Sequence, residues 1–202
     1  MKLTQEVYDI LTHCAKISNH LVVEKGQVIS SINPDRNRLM VAEVDTELEP
    51  FALHDLKNFL RQLSLFDDPI LTFNETNIII EDKEARSTYR QSNKEDLCYL
   101  DRKLGELDIK HKFDLPSNSF DKIIRASAAN KTEDILLCSE NNNIYINLHQ
   151  KSDQDFEIYI KHSIKNKLNL ILTDYTVNIS TSGVVVFKSK EPKITFYIAS
   201  ER

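Results

Sequence analysis

Glycine is scarce in this 202-residue chain, which has only Gly26, Gly105 and Gly183. A loop that cradles phosphates needs glycines clustered where backbone amides approach the ligand. Three scattered glycines lack that signature, so nucleotide binding is not expected. Tryptophan is absent, and the three cysteines, Cys14, Cys98 and Cys138, are odd in number and far apart. They read as free thiols rather than a disulfide framework. No apolar run approaches the roughly 20 residues that a membrane helix needs, and mean hydropathy is −0.39. The opening Met1-Lys2-Leu3-Thr4 turns polar at Gln5-Glu6, unlike a secretion signal. No membrane partner is expected.

Catalytic constellations are equally thin. Zinc needs Cys or His ligands converging at short spacings. His13 beside Cys14 is the nearest approach, but neighbours on a helix point to different faces. Ser87-Thr88 and Ser180-Thr181-Ser182 have no adjoining His or Asp pattern to activate a hydroxyl. Glu43, Asp45, Glu47 and Glu49 alternate, so on one continuous strand they would share a face. Such a carboxylate ladder could hold a divalent metal in a nuclease. A solvated strand whose charges discourage edge-to-edge pairing is the favoured reading, since no His or Lys follows at useful spacing. The sequence therefore names no catalytic residue, no metal ligand and no cofactor.

Regular elements are legible instead. A helix is expected over about 5–18: Thr4 suits its N-cap, Glu6 its first turn, and Val7, Ile10, Leu11, Cys14 and Ile17 keep helical spacing. Asn19 is its expected stop. Strands are expected at 21–23, 27–32 and 39–44. A second helix follows over about 55–66, with Leu56, Phe59, Leu60 and Leu63 as its apolar stripe and Asp67-Asp68-Pro69 as its end. Three strands then lie at 70–73, 77–80 and 85–89, and residues 91–106 read as a polar linker. The order recurs: a strand at about 107–114, a helix from Ser117 or Ser119 with Phe120, Ile123, Ile124 and Ser127 on one face, then strands at 134–138, 144–148 and 156–160. A short helix is expected near 162–170, and strands at 175–179, 184–187 and 194–199 close the chain. Val7, Ile10, Leu11 and Ala15 match Phe120, Ile123, Ile124 and Ala128, a weak internal repeat that the shared element order strengthens. Two domains are expected, 1–105 with its linker from about 91, and 106–202.

Charge adds a contrast. The chain carries a net −5, yet most of its helical segments are positive. The first is slightly acidic, with Glu6 and Asp9 against Lys16. The second holds Lys57 and Arg61 against Asp55, the third Lys122, Arg125 and Lys131 against Asp121, and the fourth Lys161, Lys165 and Lys167. Lys57 and Arg61 share a face at i, i+4, as do Lys122 and Arg125 at i, i+3. Ordinary solvated helix faces would look the same, so charge alone leaves the question open.

An ordered set of motifs bears on it. Met1-Lys2-Leu3-Thr4 opening a helix, Lys25-Gly26-Gln27, Asp55-Leu56-x-x-Phe59-Leu60-x-x-Leu63-Ser64-Leu65 and Ala85-Arg86-Ser87-Thr88 resemble the sliding clamps of T-even-type bacteriophages in order and spacing. Phe120-x-x-Ile123-Ile124-Arg125-Ala126-Ser127 and the ending, Asp174-Tyr175-Thr176-Val177, Gly183 and Tyr197-Ile198-Ala199, are similar as well. The resemblance covers nearly the whole chain, is strongest over 1–90, and rests on the ordered set rather than on one motif. It implies an α+β chain of two similar domains of the DNA clamp fold, helices on the inner face and antiparallel sheets outside. It further implies a homotrimeric ring around duplex DNA, a tether for the replicative DNA polymerase, opening by a clamp loader, a role with late-transcription factors, and residence in the cytoplasm of the infected bacterial host. Lys16, Lys57, Arg61, Lys122, Arg125, Lys131, Lys165 and Lys167 would then face the DNA.

The physics agrees with that role. Duplex DNA presents a phosphate charge every ~1.7 Å along its axis. A ring that slides must attract this charge without reading bases. An acidic exterior would discourage DNA outside the hole. One departure stands out: residues 149–174 leave room for little more than a strand and a short helix where the family carries two strands and a helix. Two rivals remain: a clamp-fold accessory or scaffold protein that does not encircle DNA, and the carboxylate nuclease.

Overall fold

The computed structural model describes residues 1–101, 104–130, 135–140, 143–148, 162–164 and 170–199. The chain divides into two compact units, Met1–Leu104 and Gly105–Arg202.

The first unit opens with helix α1, Gln5–Ile17. The Thr4 side chain accepts from the Val7 amide and caps it, and Val7, Ile10, Leu11, Cys14 and Ala15 are buried along one stripe. The helix ends at Ser18, whose amide donates to the Cys14 carbonyl. Asn19, the expected stop, is therefore outside the cap. Strands β1 (Leu21–Val23), β2 (Gly26–Ile32), β3 (Arg38–Leu48) and β4 (Phe51–Leu53) follow. β2 and β3 form an antiparallel hairpin, and β1 pairs antiparallel with β4. β3 runs longer than expected because its alternation continues: Met40, Ala42, Val44 and Leu48 are buried while Glu43, Asp45 and Glu47 are exposed. β4 had no expectation. Its three residues are buried on both sides, so period-two alternation is missing.

Helix α2, Leu56–Leu63, buries Leu56, Phe59, Leu60 and Leu63. It stops at Ser64, earlier than expected, because its apolar stripe runs out; Leu65 is 77% exposed. α1 packs on α2, β2 and β3. Strands β5 (Ile70–Phe73), β6 (Asn77–Glu81) and β7 (Arg86–Arg90) make an antiparallel sheet in that order. Ile78 and Ile80 are fully buried, and the Phe59 ring meets Tyr89 of β7 edge-on at 5.2 Å.

The expected linker begins as part of this unit. Gln91 uses its side-chain carbonyl to accept from the Ala52 amide, and its amide nitrogen donates to the Asn74 carbonyl. A short 3-10 turn spans Lys94–Asp96, and Leu97 is buried with Val22 and Ala52. Polar composition concealed one anchoring leucine.

In the second unit, β8 (Ile109–Leu115) precedes helix α3 (Ser117–Asn130). β14 (Ile194–Ala199), β13 (Val184–Lys188), β12 (Tyr175–Ser180) and β8 lie side by side, all antiparallel. Phe120 of α3 stands edge-on to Tyr175 at 5.9 Å, and Tyr175 reaches Phe187 at the same distance. Gly183, at φ +89°, makes the tight β12–β13 turn, a conformation that costs glycine no Cβ clash. β9 (Ile135–Glu140) lies between β10 (Asn143–Leu148) and β11 (His162–Ile164).

Two expectations fail here. Residues 162–164 form a strand rather than the start of a helix, each pairing antiparallel with 135–137 of β9. The triplet has no helical apolar stripe, and pairing along β9 satisfies its backbone instead. Ile124, expected on one face of α3 with Phe120, Ile123 and Ser127, is 38% exposed, and Phe120 alone is deeply buried among the described side chains of that helix. The strand expected at 156–160 lies outside the described residues.

Candidate nucleic-acid interface

α2 carries the clearest candidate surface. Its sequence holds Lys57 and Arg61 and no acidic residue. Both cations are exposed, on the side opposite the buried Leu56, Phe59, Leu60 and Leu63. Neither forms an ion pair among the described residues. Such a face can attract a polyanion by charge.

The N-terminus of α2 is closed by protein groups. The Leu56 amide donates to the Asn19 carbonyl at 2.8 Å and the Lys57 amide to Asn19 Oδ1 at 3.1 Å. The Asn58 amide donates to Asp55 Oδ1 at 2.9 Å, and the Phe59 amide to the Asp55 carbonyl at 3.0 Å. A helix normally leaves four such donors open, and these are what bind a phosphate at a helix end. Three of those four, from Leu56, Lys57 and Asn58, are taken here by protein acceptors, and the Phe59 bond is the first of the helix's own ladder. The bond from Asn58 is the main reason that the Asp55 carboxyl titrates below its ordinary range. What α2 offers a phosphate is therefore its exposed cations rather than these three amides.

The other expected residues are placed as follows. Lys16 is exposed in the last turn of α1, the helix that packs beside α2. Lys122 and Arg125 are exposed on α3. Arg125 is partly neutralised by Asp121, one turn earlier at 2.8 Å; an exposed pair of this kind holds weakly. Lys131, Lys165 and Lys167 lie outside the described residues. The strand at 162–164 removes the helix on which Lys165 was expected, at least over that triplet. Within each unit the structure thus groups Lys57 with Arg61, and Lys122 with Arg125.

The rival chemistry finds less. Glu43, Asp45 and Glu47 do share the exposed face of β3, but Glu49 lies past its end. Among the described residues no group of three or more His, Cys, Asp or Glu side chains could hold a metal ion. His13 is half-buried with its ring nitrogen 3.1 Å from the Asp9 carbonyl, and Cys14 is fully buried. Burial pushes the Cys14 thiol up to about 12, far from a reactive thiolate.

Sequence reasoning missed the residues that support α2. Asn19 read as a helix stop. The rings of His20 and His54 meet at a tilt of 32°, with centroids 4.8 Å apart, beside the same junction. Tyr89 of β7 donates its hydroxyl to the Asp55 carbonyl at 2.9 Å. In the second unit, Asp174 accepts from the Ser117 amide at 2.7 Å and so caps α3 from 57 residues away. Only Asp55, directly before an apolar stripe, carried a local capping signal.

Comparison with known proteins follows the same direction. No family model matches the chain. It is 27% identical to a sliding clamp of Vibrio phage KVP40, covering 100% of this chain and 99% of that protein. It is 22% identical to a sliding clamp of Escherichia phage RB69, covering 87% of this chain and 75% of that one. Among solved structures, the Helicobacter pylori β clamp in complex with 5-chloroisatin superimposes with a TM-score of 0.70 at 16% identity, over 97% of this chain and 63% of that one. A PCNA of A. fulgidus bound to the C-terminal region of FEN-1 gives 0.64 at 14% identity, over 95% of this chain and 94% of that one. The chain thus spans about three fifths of the bacterial β-clamp chain and nearly all of the PCNA chain. At these identities the solved structures establish the fold, and the phage proteins carry the sequence likeness. The chain has the DNA clamp fold and is a relative of the phage sliding clamps.

Proposed function

We propose that this protein is a DNA sliding clamp, a processivity factor that encircles duplex DNA and tethers a replicative DNA polymerase. The observation that carries the reading is end-to-end likeness to a phage sliding clamp in a chain with the clamp fold. The α2 face supports it physically. Lys57 and Arg61 attract phosphates, while the closed helix end denies them a fixed seat. A clamp has to do both, because a tight phosphate grip would stop it sliding. Retention would come from enclosure rather than affinity. In this reading Lys16, Lys122, Arg125 and, beyond the described residues, Lys131, Lys165 and Lys167 also face DNA.

The ring would be a homotrimer in the cytoplasm of an infected bacterium, opened by a clamp loader. It would serve late-transcription factors as well as polymerase, with no reaction of its own. Free strand edges favour self-association. Among the described residues β7 pairs only with β6, and β10 only with β9. Unpaired edges are templates for joining another chain.

The test is primer extension on circular single-stranded DNA with the cognate polymerase, loader and ATP. Adding the protein is expected to lengthen products many-fold, and Lys57→Glu with Arg61→Glu together to reduce that gain. Unchanged product length with wild-type protein would overturn the reading and favour an accessory scaffold.

A further inference from the structure

We infer that Asn19 is a positioning residue for the basic face of α2, fixing Lys57 and Arg61 relative to α1. This rests on the clamp reading above. Asn19 lies two residues past the end of α1, yet its groups serve the start of α2. Its carbonyl takes the Leu56 amide, its Oδ1 takes the Lys57 amide, and its Nδ2 donates to Asp55 Oδ1 at 3.1 Å. One residue thus holds two of those three first-turn donors of α2 and steadies the carboxylate that holds the third. The Asp55 carbonyl, which takes the Phe59 amide, is also held by the Tyr89 hydroxyl.

The consequence follows from the length of α2. Eight residues are barely two turns, far below what sustains a helix alone. Lys57 sits in the first of those turns and Arg61 one turn later. If the first turn frays, Lys57 loses its helical direction and the i, i+4 alignment with Arg61 is lost. Asn19 links that alignment to α1, whose last turn carries the exposed Lys16. Asparagine suits the task because its amide both donates and accepts. Alanine would remove the side-chain bonds to Lys57 and Asp55 and leave the carbonyl bond to Leu56.

The test is a double-mutant cycle on the full-length protein. Anisotropy of a labelled duplex oligonucleotide at low salt reads DNA affinity. Asn19→Ala, Lys57→Ala and the double variant are compared with wild type, together with the Lys57→Glu/Arg61→Glu variant. Asn19→Ala is expected to weaken binding about two- to fivefold and to add little in the Lys57→Ala background, because coupled residues are non-additive. Amide hydrogen exchange in the wild type supplies an independent readout should Asn19→Ala misfold. The Lys57 amide is expected to be protected although it lies in a first turn. Additive losses, or a Lys57 amide exchanging as fast as an open one, would overturn the inference. If the Lys57→Glu/Arg61→Glu variant binds like wild type, the DNA face itself fails. If that variant weakens binding while Asn19→Ala does not, only the Asn19 role fails.

Discussion

Single residues here act through what they hold rather than through reactivity. His20 shows this. Burial, then the neighbouring His54, lowers its pKa below the ordinary 6.5. Its Nδ1 is buried with no partner, so a proton there would go unsatisfied. The folded state therefore binds fewer protons than the unfolded chain. Stability from this group is complete above about 6.5 and is lost as pH falls through 6.5 toward the folded value. Removing its neighbour with His54→Ala is expected to raise the His20 pKa, followed by NMR titration of the ring; an unchanged or lower value would contradict the close ring contact. Cys14, with no exposed surface and a thiol pushed to about 12, is expected to react with thiol reagents only as fast as the protein unfolds. Labelling of the native protein at that position would contradict the described core. Most of these residue roles were hidden in the sequence. Asn19, Tyr89 and Asp174 make their key bonds to positions 34 to 57 residues away, and no local pattern encodes a partner at that distance.

Elements were far more legible, for a physical reason. α1 and α2 bury stripes at helical spacing, and β12 and β14 alternate, so their periods stand out. Where the period is lost, reading fails. β4 is buried throughout, and β11 is three residues that, among the described residues, pair with β9. The short helix expected near 162–170 had no apolar stripe to mark its period, and the described triplet 162–164 is a strand. α2 is shorter than the expected 55–66 because the stop signal Asp67-Asp68-Pro69 lies beyond its last buried residue, Leu63, and Leu65 faces solvent. The cap of α2 is open to a direct check. Asp55→Ala removes the acceptor of the Asn58 amide and the partner of Asn19. It is expected to cost about 1 kcal/mol, measured by denaturant unfolding, with little change in the slope. A cost near zero would mean that Asn19 and water suffice to close the helix.

At the scale of the whole molecule, the contrast between an acidic chain and its basic α2 face gains meaning only with the clamp fold. The net charge of −5 would by itself argue against DNA. Two exposed cations on a helix whose end is closed suit weak, sequence-independent attraction, and such attraction retains nothing without enclosure. A ring has consequences for mass: at micromolar concentration the protein is expected to sediment near three times 23.4 kDa. The sharpest consequence concerns the shape of the DNA. Labelled protein, loaded on a nicked circular plasmid by its loader and ATP, is separated from free protein and followed after one restriction cut. Topological enclosure predicts stable retention on the circle and rapid loss once the DNA has ends. Equal retention on circular and linear DNA, or loss from both, would contradict a sliding clamp.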